Sequence, residues 1–130
     1  MVAAQEALRE RRKFKRLRVN LAIVFRMNNT SKMRMVVENK EIHATMIDLS
    51  EGGLAILTNH DLSEDALLSL KFTLFKVDSD DVSFYGPMEI EGTIRYRQTL
   101  ANNEYRLGIV FTAIDKEDRK EIDAFVKNAT

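Results

Sequence analysis

The sequence predicts a mainly β protein: a six-stranded antiparallel β-barrel with a C-terminal α-helix, preceded by a mobile basic N-terminal arm. Three observations carry that prediction. Apolar residues alternate with polar ones in several short runs, as they do in half-buried antiparallel strands. Turn-forming clusters such as Asn28-Asn29-Thr30-Ser31, Asn59-His60-Asp61, Asp78-Ser79-Asp80-Asp81 and Ala101-Asn102-Asn103 separate the runs. After Asp115 the period changes from two to 3.6, which marks a single amphipathic helix.

Residues 1–18 form the arm and residues 19–130 the barrel domain with its helix. Within the arm, Ala3, Ala4, Glu6, Ala7, Leu8 and Glu10 are good helix formers. The stretch is short and has few large apolar groups, so a helix there is marginal in water and needs a partner to order it. Between Arg9 and Arg18 seven basic residues stand against one acid, Glu10, which leaves +6 on the segment. The chain as a whole is formally neutral, so the remainder carries −6. A cationic arm on an acidic body points to an anionic partner for the arm.

The first strand has Val19, Leu21, Ile23, Phe25 and Met27 on one face and Arg18, Asn20, Ala22, Val24 and Arg26 on the other. Lys32 to Val37 reads as an irregular continuation. Ile42, Ala44 and Met46 alternate into the hexapeptide Asp48-Leu49-Ser50-Glu51-Gly52-Gly53, and Leu54 and Ile56 follow on the far side of that turn. Leu68, Leu70, Phe72 and Leu74 define a further strand. Gly86-Pro87 introduces the next, with Met88, Ile90, Gly92, Ile94 and Tyr96 in one row. Tyr105, Leu107, Ile109 and Phe111 make the last. Asp115 is the N-cap expected for the helix, with Asp118 at the capping-box position and Glu117 in the first turn, where negative charge suits the dipole. Ile122, Phe125, Val126 and Ala129 form its apolar stripe.

Composition narrows the function. There is no cysteine, hence no disulfide framework, thiol nucleophile or thiolate metal site. His43 and His60 alone make a poor zinc site. The acidic loop Asp78–Asp81 lacks the glycine and terminal Glu of an EF-hand. P-loop, Gly-x-Ser-x-Gly and Gly-x-Gly-x-x-Gly patterns are lacking, and neither histidine neighbours a nucleophile, so the expectation is a protein that is not an enzyme. With no apolar run long enough to span a bilayer, the expected location is the cytoplasm.

Two short patterns point to binding. Asp48-x-Ser50-x-x-Gly53 puts a carboxylate, a hydroxyl and a glycine on one tight turn, which makes a small polar recognition surface. Arg12-Lys13-Phe14-Lys15-Arg16 carries an Arg-x-x-x-Arg spacing in the basic arm. With Arg16-Leu17-Arg18-Val19 entering the first strand and Tyr105-Arg106-Leu107-Gly108-Ile109-Val110-Phe111 closing the last, the chain resembles the PilZ domain over about residues 9–127. PilZ domains are the bacterial receptor family for the second messenger cyclic di-GMP.

The resemblance implies a signalling protein that binds cyclic di-GMP through Arg12, Arg16, Asp48, Ser50 and Gly53. In this family an arginine at the place of Arg11 goes with binding a stacked nucleotide dimer. It further implies an unidentified effector protein downstream, and the helix stripe leaves room for a homodimer. The chemistry agrees: guanidinium forks onto phosphate oxygens or guanine O6/N7, and a carboxylate accepts from the N1–H and N2–H edge of guanine. Ordering about five arm residues costs on the order of 5 kcal/mol or more, whereas one bidentate contact returns roughly 1–3 kcal/mol. Several contacts are therefore needed to hold the arm over a ligand.

Two other readings remain open at this stage. One is a basic-arm β-barrel that binds single-stranded nucleic acid, which would want exposed aromatics for stacking. Phe25, Phe72 and Phe111 are in core register, leaving Phe14, Phe75, Tyr85 and, at the end of its row, Tyr96. The other is a PilZ-like adaptor that binds protein only; such members typically lack the arginines or the Asp/Ser turn.

Overall fold

A computed structural model describes residues 16–27 and 41–128 of the chain. Its strands are β1 (Leu17–Met27), β2 (Ile42–Ser50), β3 (Gly53–Thr58), β4 (Leu67–Asp78), β5 (Asp81–Thr99) and β6 (Tyr105–Ala113), followed by the helix α1 (Lys116–Asn128). The strands close into a barrel in the order β1-β2-β3-β6-β5-β4, every pair antiparallel. Residues 1–15 of the arm, with Arg11 and Arg12, the segment Lys32 to Val37, and Ala129 lie outside the described residues, while Leu17 and Arg18 belong to β1.

Alternation explains the core. Ile23, Phe25 and Met27 of β1, Leu68, Leu70, Phe72 and Leu74 of β4, and Leu107, Ile109 and Phe111 of β6 are all buried, in the register their periodicity predicts. The turn at Ala101–Asn103 is a short 3-10 turn in which Asn102 and Asn103 take the left-handed conformation, at φ 63° and 60°. Asparagine accepts that region more readily than other L-residues.

The structure differs from expectation at Gly86-Pro87, which does not start a strand. β5 runs through it for 19 residues, and β4 extends to meet it as a long hairpin. Here β5 is paired with β4 alone, because its ladder to β6 begins only at Glu91. The proline's missing N–H therefore falls on an edge, where proline is tolerated. A register shift between Leu74 and Phe75 leaves Tyr85 as the extra residue beside Gly86, whose φ is 99°. Such a bulge with a left-handed glycine bends and twists the hairpin.

The helix begins as expected. The Glu117 N–H donates to Asp115 Oδ1 at 3.1 Å, and Glu117 and Asp118 occupy the first turn. Burial, together with the nearby Asp115 and Glu117 charges, pushes the Asp118 carboxyl up. Ile122, Phe125 and Val126 are buried, and the Phe125 ring meets Tyr85 edge-on at 5.3 Å. Near the C-terminus of the helix, Lys76 Nζ donates to the Asn128 carbonyl at 2.6 Å. The helix thus lies between the β2–β3 turn, where Arg119 stands 4.0 Å from Glu51, and the β4–β5 hairpin. No helix among the described residues is long and apolar enough to cross a membrane.

Glu51 faces this helix, with 25% of its side chain exposed. Burial pushes its carboxyl pKa up first; the hydrogen bond to Asp123 and that residue's charge add to the effect, while Arg119 and Lys127 oppose it. A carboxyl whose folded pKa lies above its unfolded value binds its proton more tightly in the folded state. Its contribution is unfavourable once pH rises past both values and disappears below the unfolded one. Glu51→Gln is therefore expected to raise the melting temperature at pH 7, with the gain shrinking towards pH 4. Thermal melts across that range check it, and a gain independent of pH would contradict the assignment.

Candidate functional site

The site starts from a conflict in β2. Strict alternation from Ile42 through Ala44 and Met46 would send Asp48 and Ser50 into the barrel, where an unpaired carboxylate is not tolerated. The chain resolves this with a bulge at Ile47: Met46 pairs with Ile56, but Asp48 pairs with Ala55. Met46 and Leu49, three apart, both become fully buried, and Asp48 turns to the outer face with 15% of its side chain exposed. Only Glu51 and Gly52 form the turn itself, since Asp48 and Ser50 end β2 and Gly53 begins β3.

On that outer face the neighbours of Asp48 are basic. Arg16 Nη1 approaches Asp48 Oδ2 at 3.2 Å, Arg106 Nη2 stands 3.7 Å from the same oxygen, and Arg18 pairs with Asp48 across the β1–β2 ladder. Arg106 Nε also donates to the Tyr96 hydroxyl at 3.1 Å. A second bulge, between Ile94 and Tyr96, brings Tyr96 out of the inward row assigned to it by alternation and lays its ring over Gly108 of β6. Any Cβ at Gly108 would overlap that ring. The floor between Asp48 and Tyr96 is made of small residues, Gly53, Ala55 and Gly108, and opens as a cleft of about 630 Å³ with Arg95 on its wall. That volume suits a small molecule.

Ser50 bonds local backbone, as a hydroxyl in such a turn can, while Gly53 is required for another reason than turn freedom. The Ser50 hydroxyl accepts from the Gly52 N–H and donates to the Gly53 carbonyl, both at 3.3 Å, so it fastens the turn from a position only 8% exposed. Gly53 lies in extended strand. It is needed because a Cβ there would run into the carbonyl oxygen of Ile109 as β3 and β6 approach. Both residues line the cleft, but the shape of its floor depends on them as much as its chemistry does.

Of the residues expected at the site, the structure brings together Arg16, Asp48, Ser50 and Gly53. Arg11 and Arg12 fall outside the described residues. Sequence reasoning missed Arg95, Tyr96, Arg106 and Gly108. The available signals were a tyrosine between two arginines, Arg95-Tyr96-Arg97, and an outward-register Arg106 two residues before a glycine. Chemically, the Arg16 and Arg106 guanidinium groups beside Asp48, with Arg95 on the cleft wall, make a cationic face that can take phosphate, with a carboxylate for N–H donors and an aromatic ring for stacking.

Comparison with known proteins agrees with the fold. The model of the PilZ domain family matches residues 10–128. No curated protein matches the chain. Among solved structures, the chain is similar to the Bacillus subtilis inhibitor of motility MotI/DgrA, at TM-score 0.69 and 14% identity over 91% of this chain and 50% of that one. It is similar also to the MrkH–c-di-GMP complex of K. pneumonia, at TM-score 0.61 and 18% identity over 91% of this chain and 52% of that one. The PilZ domain of YcgR with c-di-GMP from Escherichia coli matches at TM-score 0.59 and 13% identity over 91% of this chain and 90% of that domain. The chain thus spans about half the length of MotI/DgrA and MrkH. Matched by the family model across nearly its whole length and built on the same barrel, the chain belongs to the PilZ domain family.

Proposed function

We propose that the chain is a receptor for cyclic di-GMP that reorders its N-terminal arm on binding and so changes the surface offered to an effector protein. The observation that carries this reading is the meeting of Arg16 and Asp48, 32 residues apart in sequence and 3.2 Å apart in space. The arm's second motif arginine thereby stands over the motif carboxylate on an open cationic face. Solved relatives of this fold, the MrkH complex and the YcgR PilZ domain, hold c-di-GMP.

The energetics of Asp48 favour exchange. Its ion pairs with Arg16 and Arg106 are at the surface, and exposed pairs contribute about 0.2–1 kcal/mol each. A guanine edge that offers N1–H and N2–H to Asp48, while phosphates take the arginines, replaces weak contacts with stronger bidentate ones, each worth roughly 1–3 kcal/mol. Arg12 and Arg16 clasp the nucleotide from the arm, and Asp48 reads the base. Ser50 and Gly53 hold the floor. Tyr96, braced by Arg106, offers a stacking surface. Arg11 admits a second, stacked nucleotide. On this reading the chain acts by binding.

Titration calorimetry of the full chain with cyclic di-GMP, GMP and a short oligonucleotide at two salt concentrations tests the reading. Arg12→Ala or Arg16→Ala is expected to weaken cyclic di-GMP binding about ten- to a hundredfold. Unchanged affinity in both variants overturns it, as does oligonucleotide binding that falls steeply with salt and shows no guanine preference.

Tyr96→Ala is expected to cost about 1–3 kcal/mol of binding if its ring stacks on a base. Gly108→Ala, which displaces the ring without removing it, is expected to weaken binding in the same direction. If binding is unchanged in both variants and their circular dichroism is that of the parent chain, Tyr96 is no part of the site.

A further inference from the structure

The β4–β5 hairpin carries a surface outside the cleft beside Asp48. Beyond the barrel proper, Phe75 pairs with Phe84 and Val77 with Val82 on one face of the two-stranded ribbon. They are 42%, 72%, 66% and 51% exposed, respectively, and the two phenyl rings stand 6.4 Å apart. The opposite face carries Lys76 and Ser83, and Lys76 bonds the end of the helix. The bulge at Tyr85 creates this inversion. It turns Tyr85 to the helix and sends Phe84 and Val82 outward, in line with Phe75 and Val77. Four apolar groups therefore face solvent side by side here, apart from Tyr96 and Val110, the other exposed large apolar groups among the described residues. The tip sequence, Asp78-Ser79-Asp80-Asp81, adds three acids in four residues.

A second copy is a poor occupant. The four side chains at those exposures leave on the order of 400 Å² of apolar surface per chain, so a self-pair would bury about 800 Å², below the ~1,200 Å² of a stable interface. A tethered segment needs far less area, because its effective concentration at the surface is in the millimolar range.

The chain contains a segment of matching chemistry. Residues 1–15 precede Arg16 and include Arg9, Arg11, Arg12, Lys13 and Lys15, with Val2, Leu8 and Phe14 among them. From the Val24–Lys71 pair, β1 runs back to Leu17 in the same direction that β4 runs forward to its tip. Fifteen residues reach up to about 50 Å when extended, so the hairpin lies well within range. β1 sits between β2, with the Asp48 face, and β4, with the apolar hairpin.

We propose that the outer face of the hairpin is the resting dock of the chain's own residues 1–15, with cations against Asp80 and Asp81 and apolar side chains over Phe75, Val77, Val82 and Phe84. Given the cyclic di-GMP reading above, on which this second step rests, nucleotide draws the segment from the hairpin to the Asp48 face and uncovers the hairpin. Docking at the hairpin reduces the fraction of chains ready to bind and so weakens apparent affinity by that fraction.

The chain has no cysteine, so nitroxide labels can be placed cleanly at Ala7→Cys and Ser79→Cys of the full-length protein. Pulsed electron resonance of the ligand-free protein is expected to show a short-distance population. That population should vanish in the Asp80→Lys/Asp81→Lys variant, whose changes lie at an exposed tip, and in Val77→Ser/Phe84→Ser. A distance distribution indifferent to both variants overturns the dock, whether or not the protein binds nucleotide. Calorimetry tests the coupling separately: both hairpin variants, unlabelled, are expected to bind cyclic di-GMP several-fold more tightly than the parent chain. Equal or weaker affinity overturns the coupling, whereas failure of the parent chain to bind at all overturns the receptor reading and leaves the distance test standing.

Discussion

The structure of this site depends on where one carboxylate is allowed to point. An ionised Asp48 inside the barrel would need pairing that a core built from Met46, Leu49, Ile56 and Leu107 does not offer. The bulge at Ile47 rotates the end of β2 by one residue, keeps Leu49 in the core, and places Asp48 outside among Arg16, Arg18 and Arg106. Everything else on the face follows from that rotation. Ser50 lands where it can fasten the turn, and the glycine at 53 lets β3 come close enough to β6 to make a flat floor. The bulge before Tyr96 mirrors the device on the far side of the floor.

Much of this was legible in the sequence. Period-two runs placed the core of β1, β4 and β6, and the cap at Asp115 and the stripe of Ile122, Phe125 and Val126 marked the helix. The residues that escaped are those at bulges. Alternation carries no mark of an inserted residue, so Tyr96 was assigned to the inward row and Phe84 to no role at all. Gly86-Pro87 looked like a boundary because proline interrupts a paired strand; on an unpaired edge it does not. Glycine's reason was misjudged as well. Gly53 was read as part of a tight turn, but it is there for close approach between strands, which depends on a partner distant in sequence. The two halves of the binding pattern, by contrast, could be read because each is a short run of fixed spacing.

The two ends of the barrel surface have opposite electrostatics, and this organises the account of the arm. One face gathers arginines around Asp48; the hairpin offers carboxylates and exposed phenyl rings. On the docking proposal, the basic residues ahead of Arg16 favour the second over the first until an anionic ligand reverses the sign of the first. Both contacts are weak at the surface, where single pairs contribute about 0.2–1 kcal/mol, and weakness on both sides is what a reversible change of place requires.

Whether Asp48 reads the guanine edge is decided by comparing the affinity of the full chain for cyclic di-GMP with that for cyclic di-IMP, which lacks the exocyclic N2 amine, in the parent and in Asp48→Ala. The parent is expected to prefer the guanine ligand about ten- to a hundredfold, the range of a lost hydrogen bond to a charged group, and Asp48→Ala to bind the two alike. Equal affinities in the parent chain, or a guanine preference that survives in Asp48→Ala, would contradict it.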